Sequence, residues 1–199
     1  MVVTAVAPRP QPRAGDRDAV LVVIGGLPGS GKTTLLRRLL AERVPGVTGL
    51  DSEQVTARVR RAGIGLPYRL LRPFVHSWHR WRVLRGIGGP APVVVLTDPW
   101  TSAPWRTVVL CVARAAGRSV RLVLLDASPE EARDGQTARG RAISARALRR
   151  HAKRWHRLLR SMRSRHGQHA VVVDRPRADR LTLGELVDLP VSGRTPRSR

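Results

Sequence analysis

Short runs of β-branched and other apolar residues alternate along the chain with longer stretches in which apolar positions recur every three or four residues. That alternation predicts an α/β fold whose parallel sheet is covered by helices on both faces, because only a doubly covered strand is apolar at successive positions. Strands are predicted over residues 20–24, 47–50, 92–97, 120–125 and 170–174, the second being the weakest. Helices are predicted over 32–43, 54–62, 68–85, 105–116, 129–138, 145–165 and 183–189. In the helix 145–165, Leu148, Ala152, Trp155, Leu159 and Met162 fall on one stripe with arginines elsewhere, which predicts a core-facing side rather than a cofactor contact. Cys111, among Val108, Val109 and Val112, is expected to be buried filler. Residues 1–18 and 190–199 lack periodicity and are expected to be disordered tails, leaving 19–189 as a single domain.

Composition narrows the function classes. The chain has 199 residues, 42% of them hydrophobic and 26% charged, which suits one globular domain. No apolar run approaches the ~18 residues that cross a bilayer, and no basic region precedes the apolar residues of the amino terminus, so neither a membrane span nor a secretory signal is expected. One cysteine excludes an internal disulfide, and a cytoplasmic monomer is the expectation. The 37 basic residues outnumber 14 acidic ones for a net charge of +23, a field that attracts polyanions. Thirty-five of the 37 are arginines dispersed over many helical faces, which suits a solvated surface or a compositional bias as well as a nucleic-acid footprint. Nucleic acid is therefore the less favoured partner.

The run Gly26-Leu27-Pro28-Gly29-Ser30-Gly31-Lys32-Thr33 fits G-x-x-x-x-G-K-[ST] between an apolar strand and an amphipathic helix, the setting this motif needs. Glycines let backbone N–H groups turn toward phosphates, and the helix adds its positive amino-terminal end. Lys32 would reach the β- and γ-phosphates of ATP, and the Thr33 hydroxyl would bind Mg²⁺. Thr34 is counted with the cradle, although it fits an ordinary helix position.

With this motif followed by Leu50-Asp51-Ser52-Glu53, Asp98 at the end of the third strand, Arg106 in the next helix and the segment Leu124–Glu131, the chain resembles the P-loop kinases of the zeta-toxin and polynucleotide-kinase-like group. The resemblance covers about residues 20–188. It implies a three-layer α/β/α P-loop NTPase of the nucleoside-monophosphate-kinase-like type, with a five-stranded parallel sheet in the order 2-3-1-4-5 and a helical lid at about 130–145. ATP and Mg²⁺ are the implied cofactors.

Asp51, at the carboxyl end of the strand expected beside the P-loop strand, faces the phosphate crevice and is the candidate catalytic base for an acceptor hydroxyl. It could instead cap the following helix, with Gln54 completing a D-x-x-Q box. Asp98 is the candidate carboxylate for the Mg²⁺ water shell, although Thr97 takes the place where many relatives carry the acid. The resemblance puts Arg133 near the adenine, and Arg139 and Arg141 of the lid near the phosphates, where arginines stabilise charge in phosphoryl transfer. In the helix 68–85, Leu71, Phe74, Val75, Trp78 and Trp81 form an apolar stripe beside a basic face. On that face Arg72, His76, His79 and Arg80 are the acceptor-side candidates, with a solvated surface as the alternative. The reading favoured by these residues is an ATP-dependent kinase acting on a hydroxyl of a small molecule. The alternatives are a polynucleotide 5′-hydroxyl kinase and a nucleotide-dependent binding module without chemistry.

Overall fold

The computed structural model describes residues 19–62, 68–137, 144–164 and 170–189. Five strands, β1 (Val20–Gly26), β2 (Val47–Leu50), β3 (Val93–Asp98), β4 (Ser119–Leu125) and β5 (Ala170–Val173), pair in parallel in the order β2-β3-β1-β4-β5. All seven residues of the central strand β1 are buried, as a strand flanked by two others and covered on both faces must be.

Alternate β1 side chains enter two separate core layers. Leu21 and Val23 pack with α3 (Tyr68–Ile87), α4 (Ala103–Ala115) and α6 (Ala145–Ser164) through Val83, Trp105, Val109 and Trp155. Val20, Val22 and Ile24 pack on the opposite face with α1 (Lys32–Ala41) and α8 (Leu183–Val187), through Leu35, Leu36, Leu39 and Leu186. Between α2 (Ser52–Arg61) and α3 lies a third, smaller cluster of Val55, Val59 and Val75. The result is the three-layer P-loop architecture with the expected strand order.

Several local expectations change. Cys111 is exposed, because α4 turns Trp105, Val109 and Ala113 inward at a spacing of four and places Cys111 on the other side. Phe74 and Trp81, expected on the apolar stripe of α3, are each 55% exposed, since the sheet receives only the carboxyl-terminal part of that helix through Val83 and Ile87. Asp174, expected to end the fifth strand, instead caps a four-residue helix, α7 (Arg175–Ala178), by accepting from the Arg177 amide at 2.8 Å. So short a helix leaves no periodicity to read. The stripe of α6 holds: Leu148, Trp155 and Leu159 are buried, whereas Arg146, Arg149, Arg150, Lys153, Arg154 and Arg157 are exposed.

At the carboxyl end of α3, the buried Arg118 guanidinium donates to three main-chain carbonyls: Ile87 at 2.5 Å, Gly89 at 2.7 Å and Pro92 at 3.3 Å. These bonds satisfy the Ile87 and Gly89 carbonyls at and just beyond the helix end, join the Val20 amide on Pro92, and fix the turn into β3. None of the described helices is long and apolar enough to cross a membrane.

Candidate active site

The loop joining β1 to α1 is shaped by glycine. Gly31 caps α1 with φ near +104°, a conformation that side-chain-bearing residues rarely adopt, and no side chain caps the helix there. The first turn of α1 has no acidic residue, so its positive end is left for a phosphate. Lys32 Nζ donates to the carbonyls of Gly26 at 2.9 Å and Leu27 at 2.7 Å, which holds the ammonium over the loop. Ser30 Oγ is buried without a hydrogen-bond partner among the described residues. An orphaned hydroxyl inside a glycine cradle, with a lysine over it, fits a nucleotide phosphate group. Pro28 is half-buried in the loop and Thr34 points outward on α1.

The cradle is braced from α5 (Pro129–Thr137), the first part of the expected lid. Gly29 and α5 approach so closely that a Cβ on Gly29 would run into the Ala132 carbonyl, and one on Gly135 into the Gly29 carbonyl. Arg175 Nη2 adds bonds to the Gly29 carbonyl at 2.9 Å and the Glu131 carbonyl at 3.3 Å. Arg133 is exposed on α5. Arg139 and Arg141 lie outside the described residues, as do the two expected tails.

Asp51 is the centre of the site. It follows β2, is 3% exposed, and its two oxygens have different partners. Oδ2 accepts the hydroxyls of Thr33 and Thr97, each at 2.8 Å, while Oδ1 accepts the Glu53 amide at 2.6 Å and so caps α2. The capping half of the alternative reading is therefore present, but without the expected box. Gln54 Nε2 bonds the Gly49 carbonyl at 3.1 Å, and its Oε1 accepts from Arg82 at 3.1 Å.

Thr33 meets Asp51, not Asp98. The physical reason is the register of β3: Thr97 is level with Ile24 and Asp98 with Gly25, one residue further along the sheet. Asp98 Oδ1 accepts the Trp100 amide at 2.6 Å and Oδ2 accepts Trp105 Nε1 at 3.1 Å. Burial raises the Asp98 pKa above the ordinary carboxylate range, opposed by those two hydrogen bonds and by the charges of Lys32 and Arg80. Trp100 is itself buried in a left-handed conformation, φ near +57°, with Arg106 Nη1 on its carbonyl at 2.8 Å.

The basic face of α3 divides. His79 is buried, and burial brings its pKa down to about 4, with the Asp51 charge opposing that shift and Arg82, His76 and Arg80 adding to it. It is thus a neutral imidazole beside a carboxylate at neutral pH. His76 is exposed, and the Arg80 guanidinium lies over the Trp105 ring, 5.0 Å from its centroid. The Arg72 side chain lies outside what the structure describes. Sequence reasoning missed Thr97 as a partner of Asp51, and it missed Arg58 and Arg82. These line a groove of about 500 Å³ between α1, α2 and α3 that also touches Thr33 and Asp51.

This fold and cradle define a P-loop protein. The chain belongs to the AAA domain family, whose model matches residues 21–165. It is similar in structure to a gluconokinase from Sinorhizobium meliloti 1021, at TM-score 0.50 and 18% identity over 86% of this chain and 89% of that one. A tunicamycin resistance protein of Deinococcus radiodurans matches at TM-score 0.52 and 16% identity, over 87% of this chain and 98% of that one. A chain of the PezAT chromosomal toxin–antitoxin system of Streptococcus pneumoniae matches at 0.55 and 14%, over 84% and 71%. At these identities the likeness is one of fold. No curated protein matches the sequence.

Proposed function

We propose that the protein is a kinase that transfers the γ-phosphoryl group of ATP to a hydroxyl of a small-molecule acceptor. The observation that carries this reading is the Thr33–Asp51–Thr97 cluster beside the lysine of the cradle. An ionised carboxylate has about four lone-pair sites, and three of those on Asp51 are used by the described donors. The fourth is available to an acceptor hydroxyl, whose proton Asp51 takes as the oxygen attacks phosphorus. Glu53 N and Thr97 hold the carboxylate still while this happens, and His79, being neutral, brings no competing positive charge to it. Lys32 stabilises the charge that develops on the transferring phosphoryl oxygens.

Thr33 would hold Mg²⁺ directly, and Asp98, within the field of Lys32, would act on it through its water shell. The ion would neutralise phosphate charge and orient the transferred group. Arg133, Arg139 and Arg141 retain the roles assigned by resemblance. The test is Lys32→Ala with labelled ATP and a panel of hydroxyl compounds. Loss of both nucleotide binding and transfer with the fold intact supports the reading, and unchanged transfer overturns it.

A polynucleotide 5′-hydroxyl kinase is the second reading. It is favoured by the exposed Trp81, with the Arg85 guanidinium 5.5 Å from its ring centroid, a pairing that can stack on a base and reach a phosphate. Transfer to an oligonucleotide that persists at about 0.15 M salt would favour it over a small acceptor.

A further inference from the structure

The groove between α1, α2 and α3 contains positive charge that its own residues leave uncompensated. Arg58, Arg61 and Arg82 line it, together with Thr33 and Asp51. Arg82 is half-buried, and its Nη2 is spent on the neutral Gln54 carboxamide. Its Nη1 is fully buried and has no hydrogen-bond partner among the described residues. Two carboxylates also line the groove, and neither bonds Arg82. Glu53 pairs with Arg37 at 3.0 Å, and Asp51 accepts from Thr33, Thr97 and the Glu53 amide. Burial and the neighbouring Arg58 charge both act against the Arg82 cation, lowering its pKa. A half-buried guanidinium with one nitrogen shut off from any partner, crowded by a second cation and given no counter-ion among the described residues, is an arrangement that folding alone disfavours.

We propose that this groove is an anion subsite, in which Arg82 and Arg58 hold a phosphate or carboxylate group of the acceptor while its hydroxyl faces Asp51. The planar guanidinium fork suits either oxyanion, and the groove-facing edges of Arg82 and the exposed Arg58 are the donors an anion would meet there. Gln54 sets the orientation of Arg82, being itself held on the Gly49 carbonyl by its other end. The acceptor class is then a hydroxyl compound carrying a negative group, rather than a neutral polyol. The presentation of the hydroxyl rests on the kinase reading above, whereas the anion site stands on the groove's own residues.

The test uses the full chain in two stages of calorimetry at about 0.15 M salt, which screens diffuse attraction to the basic surface. A non-hydrolysable ATP analogue with Mg²⁺ is added first, so that the cradle is filled, and inorganic phosphate is titrated second. The expected result is one further phosphate per chain, bound roughly 10- to 100-fold more weakly in Arg82→Gln and in Arg58→Gln. The affinity for the analogue should stay unchanged in both variants. Arg58 is exposed, so its replacement keeps the test readable if Arg82→Gln does not fold. In turnover, a phosphorylated or carboxylated acceptor should exceed its neutral counterpart in kcat/KM, and Arg58→Gln should reduce that preference mainly through KM. Absence of a second-stage site, or phosphate binding indifferent to both substitutions, overturns the proposal. Failure of the analogue to bind counts against the kinase reading alone, because the phosphate stage is judged by its dependence on Arg58 and Arg82.

Discussion

Thr97 and Asp51 meet across the ends of two neighbouring strands, the threonine hydroxyl donating to Oδ2 at 2.8 Å. Leu50 pairs with Leu96 in the β2–β3 register, so the next residue on each strand arrives at the same level by construction of the sheet. The sheet thus sets the position of the central carboxylate, and Thr33 joins it from the P-loop helix.

Replacing Thr97 with the isosteric valine removes one donor without opening a cavity. Loss of a buried hydrogen bond to a carboxylate costs about 1.5–3 kcal/mol, so Tm should fall by roughly 3–12 °C. Turnover should drop about tenfold with the KM for ATP unchanged, as a less firmly held carboxylate would require. An unaltered rate beside a lowered Tm would confine Thr97 to a structural role.

Asp51→Asn preserves the oxygen that caps α2 but gives up the ability to take a proton. Turnover should fall by ~10²–10⁴ while thermal stability changes little. If stability falls instead and the rate survives, Asp51 serves the helix and not the chemistry.

His79 makes stability depend on pH in a definite direction. Its folded pKa, about 4, is below the ordinary 6.5, so between those values the unfolded chain binds a proton that the folded one refuses. The contribution is whole above pH 6.5 and is lost as pH falls toward 4. Thermal melts from pH 7 to pH 4.5 should therefore decline more steeply for the wild-type chain than for His79→Gln, and equal slopes would refute this burial effect.

Arg118→Ala strips the Ile87 and Gly89 carbonyls of their donor at the turn from α3 into β3, while Pro92 keeps the Val20 amide. Leaving the first two unsatisfied should cost on the order of 3 kcal/mol, or roughly 6–12 °C in Tm. Nucleotide affinity should hold in the protein that remains folded, since Arg118 touches no part of the cradle.

The sheet and the cradle were legible because each has a local signature. Buried strands such as β1 are apolar at every position, and the glycine loop with Lys32 occupies eight consecutive residues. The partner of Thr33 was not legible, because it depends on which residue of β3 comes level with the end of β2. That register is a tertiary fact, and Asp98 was the more conspicuous side chain. Arg58 and Arg82 were hidden for a different reason. Among 35 arginines the residue type says nothing, and only the folded groove beside Asp51 shows which of them face the site. The apolar stripe of α3 does not show in the sequence where the sheet ends beneath it, so the exposure of Phe74 and Trp81 was not legible.

The outward face of α6 has a consequence for how that helix survives. Its 20 residues include no carboxylate, and the cations at positions 146, 149, 150, 153, 154 and 157 stand three or four residues apart. Like charges at that spacing each weaken an isolated helix by a few tenths of a kcal/mol, and here nothing on the helix offsets them. Its order is consequently borrowed from the sheet through Trp155, Leu158 and Leu159. Excised as a peptide it should be largely coil in dilute buffer and gain helicity as salt rises, the reverse of a helix laced with Glu–Lys pairs.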